Sequence, residues 1–181
     1  MAFQLIPETG EGVVSANSYL TVDEFQDYAD LLGYDYSDIE LVDIERKLIR
    51  SSMFLDSEFR FRYPGDRKKN QGLEWPRDGA EYIDGESIEE DIVPHEVKSA
   101  LVEMFFIVNE GVNIQPNISA EGRVTMERVK ADVIEEEKRY ASGSSRFARD
   151  TYTAVEDALS RITGGLSSLY DLKIERVGGF T

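Results

Sequence analysis

The chain has 181 residues, 41% of them hydrophobic, with 36 acidic against 20 basic side chains and a formal net charge of −16. It contains no cysteine, which excludes disulfide scaffolds, thiolate metal sites and cysteine nucleophiles. The acid argues against tracking phosphate backbones, because that affinity comes largely from Lys and Arg displacing counterions. A mean hydropathy of −0.39 and the lack of any apolar run near the ~20 residues of a membrane helix lead us to expect a soluble protein. Met1–Glu8 shows no basic region followed by an apolar stretch, so no signal peptide is expected.

Four helices are predicted. Thr21 to Leu32 opens with a capping box, in which Thr21 and Glu24 each satisfy a free amide of the other. Val22, Phe25, Ala29 and Leu32 recur at helical spacing, and Gly33 is the stop. From about Asp38 to Leu55, Leu41, Ile44, Leu48 and Leu55 make one stripe, with Ile49 and Met53 beside it. Ser51 and Ser52 are small enough for another helix to approach. Pro94 to Glu110 carries a broad apolar face of Val97, Ala100, Leu101, Met104, Phe105 and Val108, which marks the central core helix. Thr153 to Thr163 is expected to start with a second capping box, Thr153 with Glu156, to bury Tyr152, Val155, Leu159 and Ile162, and to break at Gly164-Gly165.

Between these helices, residues 57–92 have no helical period and hold the turn signals Tyr63-Pro64-Gly65, Asp78-Gly79 and Asp84-Gly85. A loop of that length is uncommon and often functional. Residues 122–140 read two ways: their Glu, Lys and Arg favour a helix, yet Val129, Ala131 and Val133 alternate with Lys130 and Asp132 as in a strand. Beyond Gly165, Tyr170, Leu172 and Ile174 alternate with Asp171, Lys173 and Glu175, a period of two that suits an extended segment in need of an edge to pair with.

No catalytic, cofactor or metal motif appears. His95, the single histidine, has neither a nucleophile nor a second ligand nearby in sequence. Glu89, Glu90 and Asp91 precede the third helix, where its dipole stabilises acid, and capping explains them better than metal binding. Trp75 is either an exposed anchor for a partner or a plug that pins the long loop to the core. The one basic cluster is Arg60, Arg62, Arg67, Lys68 and Lys69. Residues 57–80 carry six bases and four acids, a net +2, which leaves −18 to the remainder. Such polarity lets the basic loop of one copy meet the acidic body of another, a head-to-tail contact that can close into a ring. Phe59, Phe61 and Tyr63, interleaved with Arg60 and Arg62, are the best sequence argument for single-strand binding.

The segments Asn17-Ser18-Tyr19-Leu20-Thr21-Val22-Asp23-Glu24, Leu48-Ile49-Arg50-Ser51-Ser52-Met53-Phe54-Leu55-Asp56, Leu73-Glu74-Trp75-Pro76-Arg77-Asp78-Gly79 and Ile92-Val93-Pro94-His95-Glu96-Val97-Lys98-Ser99-Ala100, in that order and spacing, resemble a family of tailed-phage proteins over about residues 15–140. That family is labelled DnaT-like single-stranded-DNA-binding protein and is similar to the head–tail adaptors, or connectors. The resemblance implies a mainly α fold: a bundle of about four helices, the long loop 57–92, a β-hairpin at 122–140 and an extended C-terminal segment. The family often has a Val-Gly turn followed by a strand and a Tyr, near the region of Val129 to Tyr140 here; in this chain Lys130-Ala131-Asp132 replaces the Gly.

It further implies one connector domain over 1–181, with residues 1–16 as an arm and 165–181 as a tail, both partner-contacting. About twelve copies would ring the underside of a portal protein. The basic cluster with Trp75 would supply the subunit interface, and Tyr170, Leu172, Ile174 and Phe180 would dock to the portal. The other partners expected are a tail-side connector or tail terminator protein and packaged double-stranded DNA, which passes without tight binding. The protein would be found in the host cytoplasm during assembly and then at the head–tail interface of the virion. No enzymatic role, cofactor or metal is expected. The alternative is a DnaT-like single-stranded-DNA-binding protein.

Overall fold

The capping box predicted for the first helix is present in the computed structural model, which describes residues 4–111, 126–131, 134–139 and 152–164. The Thr21 hydroxyl accepts from the Glu24 amide and the Glu24 carboxylate from the Thr21 amide, so α1 runs Val22–Leu32 and ends at left-handed Gly33. The next helix, α2, spans Leu41–Phe59, starting three residues and ending four residues later than its apolar pattern suggested. It is followed by a two-residue antiparallel pair, β1 Asp66–Arg67 with β2 Arg77–Asp78, registered Asp66 to Asp78 and Arg67 to Arg77. Then come α3, His95–Asn109; a hairpin of β3 Met126–Ala131 and β4 Ile134–Arg139; and two short helices, α4 Thr153–Ala158 and α5 Ser160–Thr163. The protein is thus mainly helical with one small hairpin, as expected. The chain forms two compact units, Met1–Val112 with Thr151–Thr181, and Asn113–Asp150.

Within the first unit α3 is the hub, and α1, α2 and α4 all pack against it. Its predicted apolar face is buried in full, from Val97 to Val108. Phe25 of α1 lies 4.3 Å from the Phe105 ring, and Tyr34 stacks on Phe106 at 4.0 Å. Burial of each such large side chain stabilises the fold by roughly 1.5–3 kcal/mol. The buried face of α2 keeps Ile44, Leu48 and Leu55 of the predicted stripe and departs from it at Leu41 and Met53. It consists of Ile44, Leu48, Ser51, Ser52, Phe54, Leu55 and Phe59, whereas Leu41 is 59% exposed and Met53 63% exposed. The small buried pair Ser51-Ser52 is what admits a close neighbour, and the Ser52 hydroxyl also accepts from the Tyr19 amide at 3.3 Å.

Two predicted caps are absent. The N-cap of α4 is Tyr152, with no side-chain bond, because the Glu156 carboxylate is taken by Arg62. No side chain caps α3, and Glu90 instead serves the loop: its carbonyl accepts from Lys68 and its carboxylate from the Gly79 amide at 3.4 Å.

Residues 4–16 are tied to their own unit. Ile6 exchanges bonds of 2.8 Å with Asn17, and the Glu8 amide donates to the Ser18 carbonyl at 2.8 Å. The buried Glu8 carboxylate accepts from the amides of Gly10, Gly12 and Val13 at 2.8–3.0 Å. Gly10 sits at φ +99°, and a β-carbon there would stand 1.9 Å from the Asp91 carbonyl oxygen, so only glycine closes this turn.

The hairpin replaces the helix that propensity favoured for 122–140 and agrees with the resemblance. Its strands pair from Met126 opposite Arg139 to Ala131 opposite Ile134. No helix among the described residues is long and apolar enough to cross a membrane.

Candidate subunit-interaction site

The basic cluster begins where α2 ends. Phe59 and Tyr63 turn into the core, and their backbones close the end of the helix: the Arg62 and Tyr63 amides donate to the Phe59 carbonyl at 2.8 and 3.1 Å. Arg62 is thereby aimed back at α4. Its two terminal nitrogens donate to the two Glu156 carboxylate oxygens at 2.7 Å each, and one also to the Thr163 hydroxyl at 3.2 Å. A planar fork on a carboxylate is the strongest common charge pair, and here it is mostly shielded from water.

The next cations are also spent inward. Arg67 donates to the Leu73 carbonyl at 3.1 Å and to the Gln71 carbonyl, with Glu74 3.7 Å away. Lys68 donates to the Glu90 carbonyl and lies 3.5 Å from Asp78. Arg77 is buried and holds the Pro64 and Gly65 carbonyls at 2.7 and 2.8 Å and the Glu74 carboxylate at 2.9 Å. These cations therefore act as stitching for an irregular stretch that has little other backbone pairing.

Trp75 is fully buried, its ring 5.6 Å from Tyr63 in an edge-to-face contact, and the Trp75–Pro76 peptide is cis. Of the two readings of this residue, the plug is the one realised; it offers no surface to a neighbour. Beneath it lies a carboxylate that sequence reading passed over. Asp56 accepts from the Tyr19 hydroxyl and from the Glu74 amide at 3.0 Å, while the Glu74 and Trp75 amides donate to the Tyr19 oxygen at 3.1 and 3.3 Å. Burial pushes the Asp56 carboxyl up to about 7, against the opposing pull of its hydrogen bonds. Burial also holds the Tyr19 hydroxyl well above its ordinary range, with the Asp56 charge adding to it.

What remains open to a partner is small. Arg60 is exposed, its guanidinium 5.1 Å from the ring of Phe61, which is 89% exposed. Lys69 is exposed on the loop. Of the six proposed interface residues, then, Arg60 and Lys69 face outward with no acidic partner among the described residues, Arg62, Arg67 and Lys68 hold the loop together, and Trp75 is core. The aromatic interleaving is likewise divided: Phe61 alone of the three rings is presented. His95 is exposed, with Nδ1 3.3 Å from the Glu96 carboxylate. Among the described residues no group of three or more His, Asp or Glu side chains is placed to hold a metal ion. Tyr170, Leu172, Ile174 and Phe180 lie outside the described residues.

The family model described as "Putative DnaT-like ssDNA binding protein" matches residues 3–177, and the chain belongs to that family. No curated protein and no solved structure matches it.

Proposed function

We propose that this protein is a structural virion component: a head–tail adaptor that forms a ring beneath the portal, joins capsid to tail and extends the channel for double-stranded DNA. The observation that supports this reading is the fate of the loop cations. A single-strand groove needs bases and stacking rings turned outward together. Here Arg62, Arg67, Lys68 and Arg77 are bonded inward, and Phe59, Tyr63 and Trp75 are buried, on a chain of net charge −16. A rigid acidic building block fits a channel wall past which DNA must slide without sticking. The resemblance to head–tail adaptors supplies the partners: the portal above, a tail-side connector or terminator below, and further copies alongside.

A second reading keeps its place because the family description names single-stranded DNA and because Arg60 and exposed Phe61 stand side by side. Two measurements separate them. Electron microscopy of the full chain mixed with its portal is expected to show added rings, and an undecorated portal would overturn the adaptor. Fluorescence anisotropy with a single-stranded oligonucleotide at physiological salt is expected to show no tight binding. A submicromolar affinity there would favour the second reading.

A further inference from the structure

We infer that the outward face of α2 is one half of a heterologous contact between copies of this chain, and that the outward face of α1 on the next copy is the other half. The inference rests on the ring-forming role proposed above and assigns it a surface.

Arg50, Met53, Ser57 and Arg60 follow one another at helical spacing, and all four are exposed. Phe61 continues the line past the helix end. Arg50 and Arg60 have no carboxylate partner among the described residues, and no acid interrupts the row. From Arg50 to Arg60 the face runs about 15 Å. It is a cationic strip with two large apolar side chains in water, on a molecule that is otherwise strongly acidic.

On α1 the complementary pattern appears. Asp23, Asp27 and Asp30 are exposed at spacings of four and three, over about 10 Å of helix. Leu31 at their end is 80% exposed. None of the three carboxylates is paired with a cation among the described residues. Both helices pack on α3 through their opposite faces, so the two strips point away from the shared core of one subunit and can meet only between subunits. Two arginines against three aspartates, with Met53 and Phe61 available to cover Leu31, give charge and apolar complementarity together. A contact between two different patches generates a ring or filament and not a closed pair. A phosphate chain is the poorer occupant, since two unpaired arginines displace few counterions against a net charge of −16.

The test is a charge swap in the full chain. One variant carries R50E and R60E; the other carries D23K and D27K. Each is followed by sedimentation velocity and by electron microscopy on the portal, with circular dichroism to confirm the fold. Each variant alone sets like charges together and is expected to assemble about tenfold or more weakly than the parent. An equimolar mixture restores opposite charges at every contact and is expected to recover assembly. Variants that assemble normally would overturn the contact while leaving the adaptor role intact. So would a mixture that fails to recover while both variants are folded. A parent chain that forms no ring with the portal would fault the adaptor reading itself. Loss of oligonucleotide binding in the R50E and R60E variant, with assembly unaffected, would assign the strip to nucleic acid and overturn the inference.

Discussion

Asp56 shows how one buried group couples the loop to the helices. Its carboxyl is raised to about 7 by burial, so the folded chain holds a proton that the unfolded chain gives up near pH 4. Its contribution to stability is therefore full below about pH 4, falls as pH rises from about 4 to about 7, and is lost above. Across that span the loss is expected to be about 4 kcal/mol at most. Urea midpoints at a series of pH values would show the slope. Asp56→Asn keeps an acceptor for the Tyr19 hydroxyl or the Glu74 amide but carries no charge, and it is expected to flatten the slope. Coincident profiles for the two proteins would mean that Asp56 does not titrate in this range. Nothing in the sequence marks this residue apart from its place at the end of an apolar helix. Its partners Tyr19 and Glu74 are 37 and 18 residues away, and only the fold brings them together.

Between elements, the Arg62–Glu156 fork joins the end of α2 to α4 across 94 residues of sequence. Arg62→Ala strands a buried carboxylate and is expected to cost about 2 kcal/mol in denaturant unfolding. Arg62→Lys is expected to recover little, because an ammonium cannot reproduce the two-pronged geometry. The loop has a similar hierarchy. Replacing Arg67 and Lys68 with Gln frees the carbonyls of Gln71, Leu73 and Glu90, and the pair is expected to lower stability by about 1–3 kcal/mol. Lys69→Gln is expected to stay within about 0.5 kcal/mol. Thermal melts of the two variants would report the contrast; equal losses would mean that the stitching bonds contribute nothing. The sequence made Glu156 look like a cap because Thr153 stood three residues before it. The arginine won because it offers two charged bonds where the helix start offers one neutral amide.

At the scale of the whole molecule, helical periodicity located each long helix among the described residues, since a stripe of apolar residues reports directly on a packed face. The α1 cap and the face of α3 were readable to the residue. The face of α2 was readable in part: Ile44, Leu48 and Leu55 are buried as their stripe predicts, and so are Ser51 and Ser52. Leu41 and Met53 look like core by type, yet both face water. The hairpin was hidden, its Glu, Lys and Arg being good helix formers, and the order of motifs in the resemblance recovered it. Of the basic cluster, composition gave the position but not the direction in which each cation points, which depends on carbonyls and acids distant in the chain.

The seat of Trp75 also makes the molecule its own optical gauge. It is the single indole of the chain and is wholly enclosed where the loop meets the core. Its emission therefore belongs to a water-free environment and shifts to longer wavelength when the loop lifts. No second indole masks that shift. Local opening of the loop and global melting of the helices can then be followed in one sample, by emission colour and by ellipticity. Assembly that keeps the loop seated leaves the colour unchanged.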